Sequence, residues 1–223
     1  ITMSGQCFRV GRLQDGAYRF ISGDEVIYIR ETGSHMFSVS CSPNAWKNIW
    51  SFYFDLGRCY NDIFGTECNK HQFIHEAMVY GRGIRILRQN PWEMLITFII
   101  SQRKSIPAIS KSVELLASGF GHRIETRHET LYSFPTPEEM SNATETQLKE
   151  CGLGYRTQYV LDALRQVQTG GLNLNVLPDY SDEHLLETLQ RIHGVGKKVA
   201  NCVALFAYGR TACVPIDVWI ARA

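Results

Sequence analysis

Gly194-Val195-Gly196-Lys197-Lys198 sits between two runs of helical spacing, Leu185, Leu186 and Leu189 before it and Val199, Val203, Leu205 and Phe206 after it. Two glycines around one valine let the backbone turn tightly, and the second helix then opens with unpaired amides pointing outward. Such an end attracts phosphate. A P-loop would need a glycine separated by four residues from the Gly196-Lys197 pair and Ser or Thr after it, but Arg191 and Lys198 stand there. A dinucleotide fingerprint fails as well, because Val199 takes the third glycine position and no strand precedes. The segment, about residues 184–207, therefore reads as a helix-hairpin-helix unit, a device that holds DNA backbone without reading sequence.

Lys198 falls in the first turn of the second helix, where the dipole and neighbouring Lys197 both favour a neutral, nucleophilic amine. Nineteen residues on comes Asp217, within Val214-Pro215-Ile216-Asp217, placed to cap a following helix. An amine and a fixed carboxylate are the minimum set for cleaving an N-glycosidic bond through a cationic sugar. Against this stands a plainer reading, a DNA-binding module with a solvated lysine.

The rest of the chain supplies a scaffold. With 223 residues, 44% of them hydrophobic, it can bury a sizeable core. A net charge of +1 means that any nucleic-acid contact must come from a local patch and backbone amides. Seven cysteines, scattered and without a C-x-x-C pair, fit reduced thiols and suggest no zinc site. No run of about 18 apolar residues occurs, and the first residues lack the pattern of a signal peptide. A soluble, intracellular protein is expected, in the cytoplasm or nucleoid of a prokaryote or the nucleus of a eukaryote.

Up to about Ser42 the chain predicts an antiparallel meander, with strands at Cys7-Phe8-Arg9-Val10, 17–21, 26–30 and 36–39. After Pro43 the spacing turns helical, with Trp46, Ile49, Trp50, Tyr53 and Phe54 as one stripe. Pro91 opens a nearly all-apolar run to Ile100, read as the central core helix. A polar break, Ser101-Gln102-Arg103-Lys104-Ser105, follows it. Thr136-Pro137-Glu138-Glu139 and Thr144-Glu145-Thr146-Gln147 read as helix entries. Gly152-Leu153-Gly154-Tyr155-Arg156 can present an aromatic and an arginine side by side. The fold class is α+β: an antiparallel sheet lobe with flanking helices over 1–80, then a mostly helical core over 81–223.

The lysine-bearing hairpin with Val-Pro-Ile-Asp after it resembles the helix-hairpin-helix (HhH-GPD) DNA glycosylase superfamily. Ser4-Gly5-Gln6-Cys7-Phe8-Arg9, Leu87-Arg88-Gln89-Asn90-Pro91 and Gly152-Leu153-Gly154-Tyr155-Arg156 are similar to the 8-oxoguanine DNA glycosylase/AP lyase branch, over essentially the whole chain. The resemblance implies a TBP-like sheet lobe, double-stranded DNA containing oxidised guanine as partner, a monomer, and base excision by flipping. It implies Lys198 as Schiff-base nucleophile and Asp217 as stabiliser of the cationic sugar. Gly5 would accept a hydrogen bond from the N7–H that 8-oxoguanine has and guanine lacks, and Cys202 would lie against the flipped base. A buried small hydrophobe is the plainer reading of that cysteine. Tyr155 would fill the vacated stack, Arg156 would contact the estranged cytosine, and Gly194, Val195, Gly196 and Lys197 would hold the DNA backbone. No cofactor is required, though a cation held by hairpin carbonyls fits the family.

Three stretches of the chain depart from the family pattern. Arg103-Lys104-Ser105 replaces an asparagine run, leaving Arg103 placed to meet the orphan base. Ala108 stands where an opposite-base-reading arginine is usual, and Trp219 where a phosphate-contacting histidine is. A longer natural protein is expected, whose residues beyond Ala223 supply the base-stacking aromatic and an amide for the Watson–Crick edge. The Arg103-Lys104-Ser105 break keeps a glycosylase for alkylated bases open as an alternative.

Overall fold

The computed structural model describes residues 4–34, 36–60, 72–217 and Ile220. Strands β1 (Gly11–Arg12), β2 (Tyr18–Ser22), β3 (Glu25–Gly33) and β4 (Met36–Val39) form an antiparallel sheet in sequential order, with Phe20 opposite Ile27 and Ile29 opposite Val39. The helical stretch that follows runs through α1 (Pro43–Ala45), a π-turn over Trp46–Trp50 and α2 (Ser51–Tyr53). It lays Trp50, Tyr53 and Phe54 on the sheet against Phe20, Ile27 and Leu87.

Residues 7–10 form no strand. Gln6 to Arg9 is instead a buried strap between two cores, and its alternating side chains diverge: Cys7 joins the sheet-side cluster, Phe8 the helical one. Arg9 turns inward to Glu114 at 3.0 Å and to the Tyr132 carbonyl. With both faces covered and the arginine drawn inward, the strap bends away from the sheet and pairing starts only at Gly11.

Past α3 (Gln72–Tyr80) lies the helical core. Helix α4 (Pro91–Ser101) starts on Asn90, whose Oδ1 accepts from Glu93 N at 3.0 Å, and every residue from Trp92 to Ile100 is buried. Each of Leu95, Ile96, Ile99 and Ile100 contributes about 1.5–3 kcal/mol by leaving water. Around it pack α5 (Ile106–Phe120), α6 (Glu145–Glu150), α7 (Thr157–Gln168), α8 (Asp182–Gln190) and α9 (Lys197–Phe206). Thr144 caps α6 in a full capping box, as its sequence predicts. The Thr136 signal gives only successive turns, although Thr136 and Glu139 exchange the same reciprocal bonds. The polar Ser141-Asn142 that follows offers no apolar face on which a helix could continue. A small hairpin, β5 (Arg123–Glu125) with β6 (Thr130–Tyr132), has no counterpart in the sequence reading. Among the described residues no helix is long and apolar enough to cross a membrane, and no group of three or more His, Cys, Asp or Glu is arranged to hold a metal ion.

Candidate active site

The hairpin is held from three sides. Helix α8, capped by Ser181, delivers the chain to the turn, and Val195 buries its side chain in the core. Gly194 has φ +84, and a Cβ there would stand 2.3 Å from ring carbons of Tyr159, so both backbone and space demand glycine. The Gly194 carbonyl accepts from Gln102 Nε2 at 3.0 Å, and His193 N donates to Asp162 Oδ2 at 3.0 Å. Burial pulls the Asp162 carboxyl up, but the His193 amide and Arg165 more than offset it, holding it below its ordinary value. Gly196 begins α9 without any side-chain cap. The first amides of that helix are therefore donors for an anion, with Lys197 exposed beside them.

Lys198, in the first turn of α9, has its Nζ 5.3 Å from the centroid of the Phe98 ring. Phe98 in turn stacks on Phe206 and meets Phe8 edge-on, so the floor under the amine joins α4, α9 and the strap. One turn along, Cys202 is 2% exposed. Burial pushes its thiol up; the Lys198 charge and a hydrogen bond from that amine pull it down, and the Asp217 carboxylate pushes it up further. Lys198 and Asp217 thus both lie within electrostatic reach of one buried sulfur. Asp217 also takes the capping role read from the sequence, its Oδ1 accepting from Ile220 N at 2.9 Å. A carboxylate so bonded is fixed in direction.

Gly5 has φ +70, and a Cβ there would meet nothing within 4 Å, so glycine is favoured by the backbone alone. Its neighbour Gln6 receives Leu87 N on its side chain and Gln89 Nε2 on its carbonyl. Gln89 N then donates to the Phe206 carbonyl. Two hydrogen bonds thereby tie the Gly5 turn to the end of the lysine-bearing helix.

The fourth element is the pair of loops at 101–105 and 152–156. Arg103 is exposed with φ +51, a left-handed corner that costs a non-glycine residue about 1 kcal/mol or more. Tyr155 is 52% exposed on a 3-10 turn and meets Tyr159 edge-on, which meets His193 of the hairpin likewise. Arg156 lies beside Tyr155 as expected, 4.4 Å from its ring, but points inward and is only 6% exposed. It donates to the carbonyls of Gln102 and Leu153. Lys104 reaches Ser112 Oγ at 2.5 Å and the Gly152 carbonyl at 2.7 Å, its amine pushed down by burial and by Arg156.

The structure thus puts Lys198 and Asp217 within electrostatic reach of Cys202, with Gly194 to Lys197 leading into the same helix and Tyr155 joined to the hairpin through Tyr159. Gln102, Phe98 and Asp162 are residues that the sequence alone does not single out. Their roles depend on partners far away in the chain, and only the place of Gln102 in the polar break hinted at one. Trp219 lies outside the described residues.

Residues 1–95 match the family model of the 8-oxoguanine DNA glycosylase N-terminal domain, and residues 96–223 that of the HhH-GPD superfamily base excision DNA repair protein. The N-glycosylase/DNA lyase OGG1 of Arabidopsis thaliana is 33% identical over 227 residues, covering 97% of this chain and 62% of its own length. A solved structure of MBOgg1 with a low-affinity DNA ligand is 40% identical with a TM-score of 0.93, covering 99% of this chain and 76% of that one. The Clostridium acetobutylicum 8-oxoguanine glycosylase/lyase, solved with double-stranded DNA containing cytosine opposite 8-oxoG, is 34% identical with a TM-score of 0.91, covering 98% and 75%. The chain spans about half the length of the curated relatives it matches. On both its halves, therefore, this chain belongs to the 8-oxoguanine DNA glycosylase family of the HhH-GPD superfamily.

Proposed function

We propose that this chain carries the catalytic module of a bifunctional DNA glycosylase/AP lyase that removes 8-oxoguanine from duplex DNA. The observation that carries the reading is the place of Lys198 in the first turn of the helix that the Gly194 hairpin opens, its amine over the Phe98 ring, with Asp217 held by Ile220 N as the carboxylate downstream. It acts as a monomer wherever the DNA is kept, in the cytoplasm or nucleoid of a prokaryote or the nucleus of a eukaryote.

The uncapped start of α9 and Lys197 take a backbone phosphate, and Tyr155 enters the stack as the damaged nucleotide swings out, at a cost of a few kcal/mol. The Lys198 amine forms a bond to the anomeric carbon while the glycosidic bond breaks, its electron pair leaving with the base, which takes up a proton. Asp217 stabilises the positive charge that develops on the sugar. Proton loss from nitrogen and opening of the ring give the Schiff base, and removal of the 2′ proton expels the 3′ phosphate. Gly5 supplies the acceptor for N7–H, and Cys202 lies against the base. Arg156 reads the estranged cytosine only by releasing Gln102, which leaves exposed Arg103 as the readier contact for the orphan base. A cation held by hairpin carbonyls would share them with protein donors, since Ile192 accepts from Val195 and Gly194 from Gln102. No step of the chemistry passes through such an ion.

Borohydride trapping on a duplex with one 8-oxoguanine tests this: the wild type forms a covalent adduct and Lys198→Gln forms none. Asp217→Asn slows base release with DNA affinity largely kept. An adduct that survives Lys198→Gln would remove Lys198 from its role, and release of an alkylated purine but not of 8-oxoguanine would replace the substrate.

A further inference from the structure

Gln102 stands at the junction of three functional segments. Its side-chain amide donates to the Ile99 carbonyl at 3.1 Å, at the end of α4, and to the Gly194 carbonyl at 3.0 Å, in the hairpin. Its own carbonyl accepts from Arg156 Nε at 2.9 Å and from a second nitrogen of the same guanidinium. The same guanidinium lies against Tyr155. One residue therefore joins the helix that carries Phe98, the turn that precedes Lys198, and the loop that presents Tyr155.

We infer that Gln102 is a positioning residue that locks the hairpin to the Tyr155 loop, so that the grip on phosphate and the entry of Tyr155 into the stack occur as one rigid-body event. The inference rests on the glycosylase reading above. An amide suits the place because both side-chain bonds need a donor: each accepting atom is a carbonyl oxygen. A carboxylate would face them with acceptors only. Tyr159 and Asp162 hold the far side of the turn, so removing the amide loosens the hairpin without unfolding it.

The full chain with Gln102→Ala, checked for folding by circular dichroism, tests this on two substrates. Release of 8-oxoguanine from duplex DNA, which requires extrusion, should fall about tenfold, the loss expected for two hydrogen bonds. Schiff-base trapping at a preformed abasic site, where no base is extruded, should stay within about threefold of wild type by the same scale. Equal losses on both substrates, or none on either, would overturn the assignment. Gln102→Glu adds an independent readout, since only its protonated form can donate. Its activity relative to wild type should rise as pH falls from about 8 to about 5.5, and a flat ratio would refute the need for a donor. A wild type that neither releases the base nor forms an adduct would overturn the glycosylase reading and this inference with it. An active wild type matched by Gln102→Ala overturns the inference alone.

Discussion

Glu93 is a carboxylic acid on the most apolar helix of the molecule, 8% exposed, and its replacement by glutamine should change stability in a pH-dependent way. Burial, partly countered by Arg9 and reinforced by Glu114, pushes its pKa from an ordinary 4.5 up to about 7. The native state then holds this proton more tightly than the unfolded chain does. Its contribution to stability is fully present below the unfolded value and is lost as pH rises through the folded one. A displacement of that size corresponds to about 3 kcal/mol by pH 8, and to less than about 1 kcal/mol at pH 5. Glu93→Gln keeps the shape and carries no proton, so denaturant unfolding of both proteins at the two pH values isolates the effect. The variant should gain about 2–3 kcal/mol on the wild type between pH 5 and pH 8. Arg9 keeps Glu114 at 3.0 Å and the Tyr132 carbonyl in either protein. A stability difference unchanged to within about 0.5 kcal/mol would show that Glu93 titrates like a solvated carboxylate, and the burial argument would fail.

Two further outcomes follow from the hairpin and its surroundings. Gly194→Ala combines φ +84 with a contact of 2.3 Å to the Tyr159 ring, and should cost about 2–4 kcal/mol in denaturant unfolding and most of the affinity for duplex DNA; unchanged affinity would show that the turn is not the anchor. Lys197→Ala should weaken binding to all sequences alike and make the salt dependence shallower by about one phosphate contact, as read by titration at several salt concentrations. A loss confined to lesion-bearing DNA would instead give Lys197 a part in recognition.

How much of this was legible beforehand follows from where the partners lie. The Thr144 box, the helix opened by Pro91 and the Gly194 turn are local, and each was readable because residues a few positions apart settle the conformation. Asp217 as a cap was legible for the same reason. The inward turn of Arg156 was not, because the carbonyl that draws it belongs to Gln102, 54 residues away. Likewise Glu93 reads as one polar residue on a core helix until Arg9 is brought beside it from another lobe. The strap at 6–9 misled in a different way. Its side chains alternate as in a strand, but both faces are covered by protein, so the alternation marks two cores rather than a core and solvent.

The small net charge gives these long-range contacts their weight. With +1 overall, no general field draws the chain to DNA, and two of the cations nearest the Tyr155 loop already donate inward: Arg156 to Gln102 and Leu153, Lys104 to Ser112 and Gly152. What faces a phosphate is then mainly backbone, the uncapped start of α9, whose donors work only when oriented. A mobile lysine finds a phosphate from many directions; a helix end does so from one. Recognition built on such a donor depends on how firmly the turn is held, and the holding is done by uncharged or internally paired groups: the Gln102 amide, the Tyr159 ring and the Asp162 carboxylate. Lys198 lies two residues beyond the helix cap, on a helix that is also anchored by Val199, Cys202 and Val203 in the core. Rigid support of the hairpin therefore bears first on the grip and the extrusion that depend on it, and a substitution that frees the turn should slow release of the base before it changes any charge that faces the DNA.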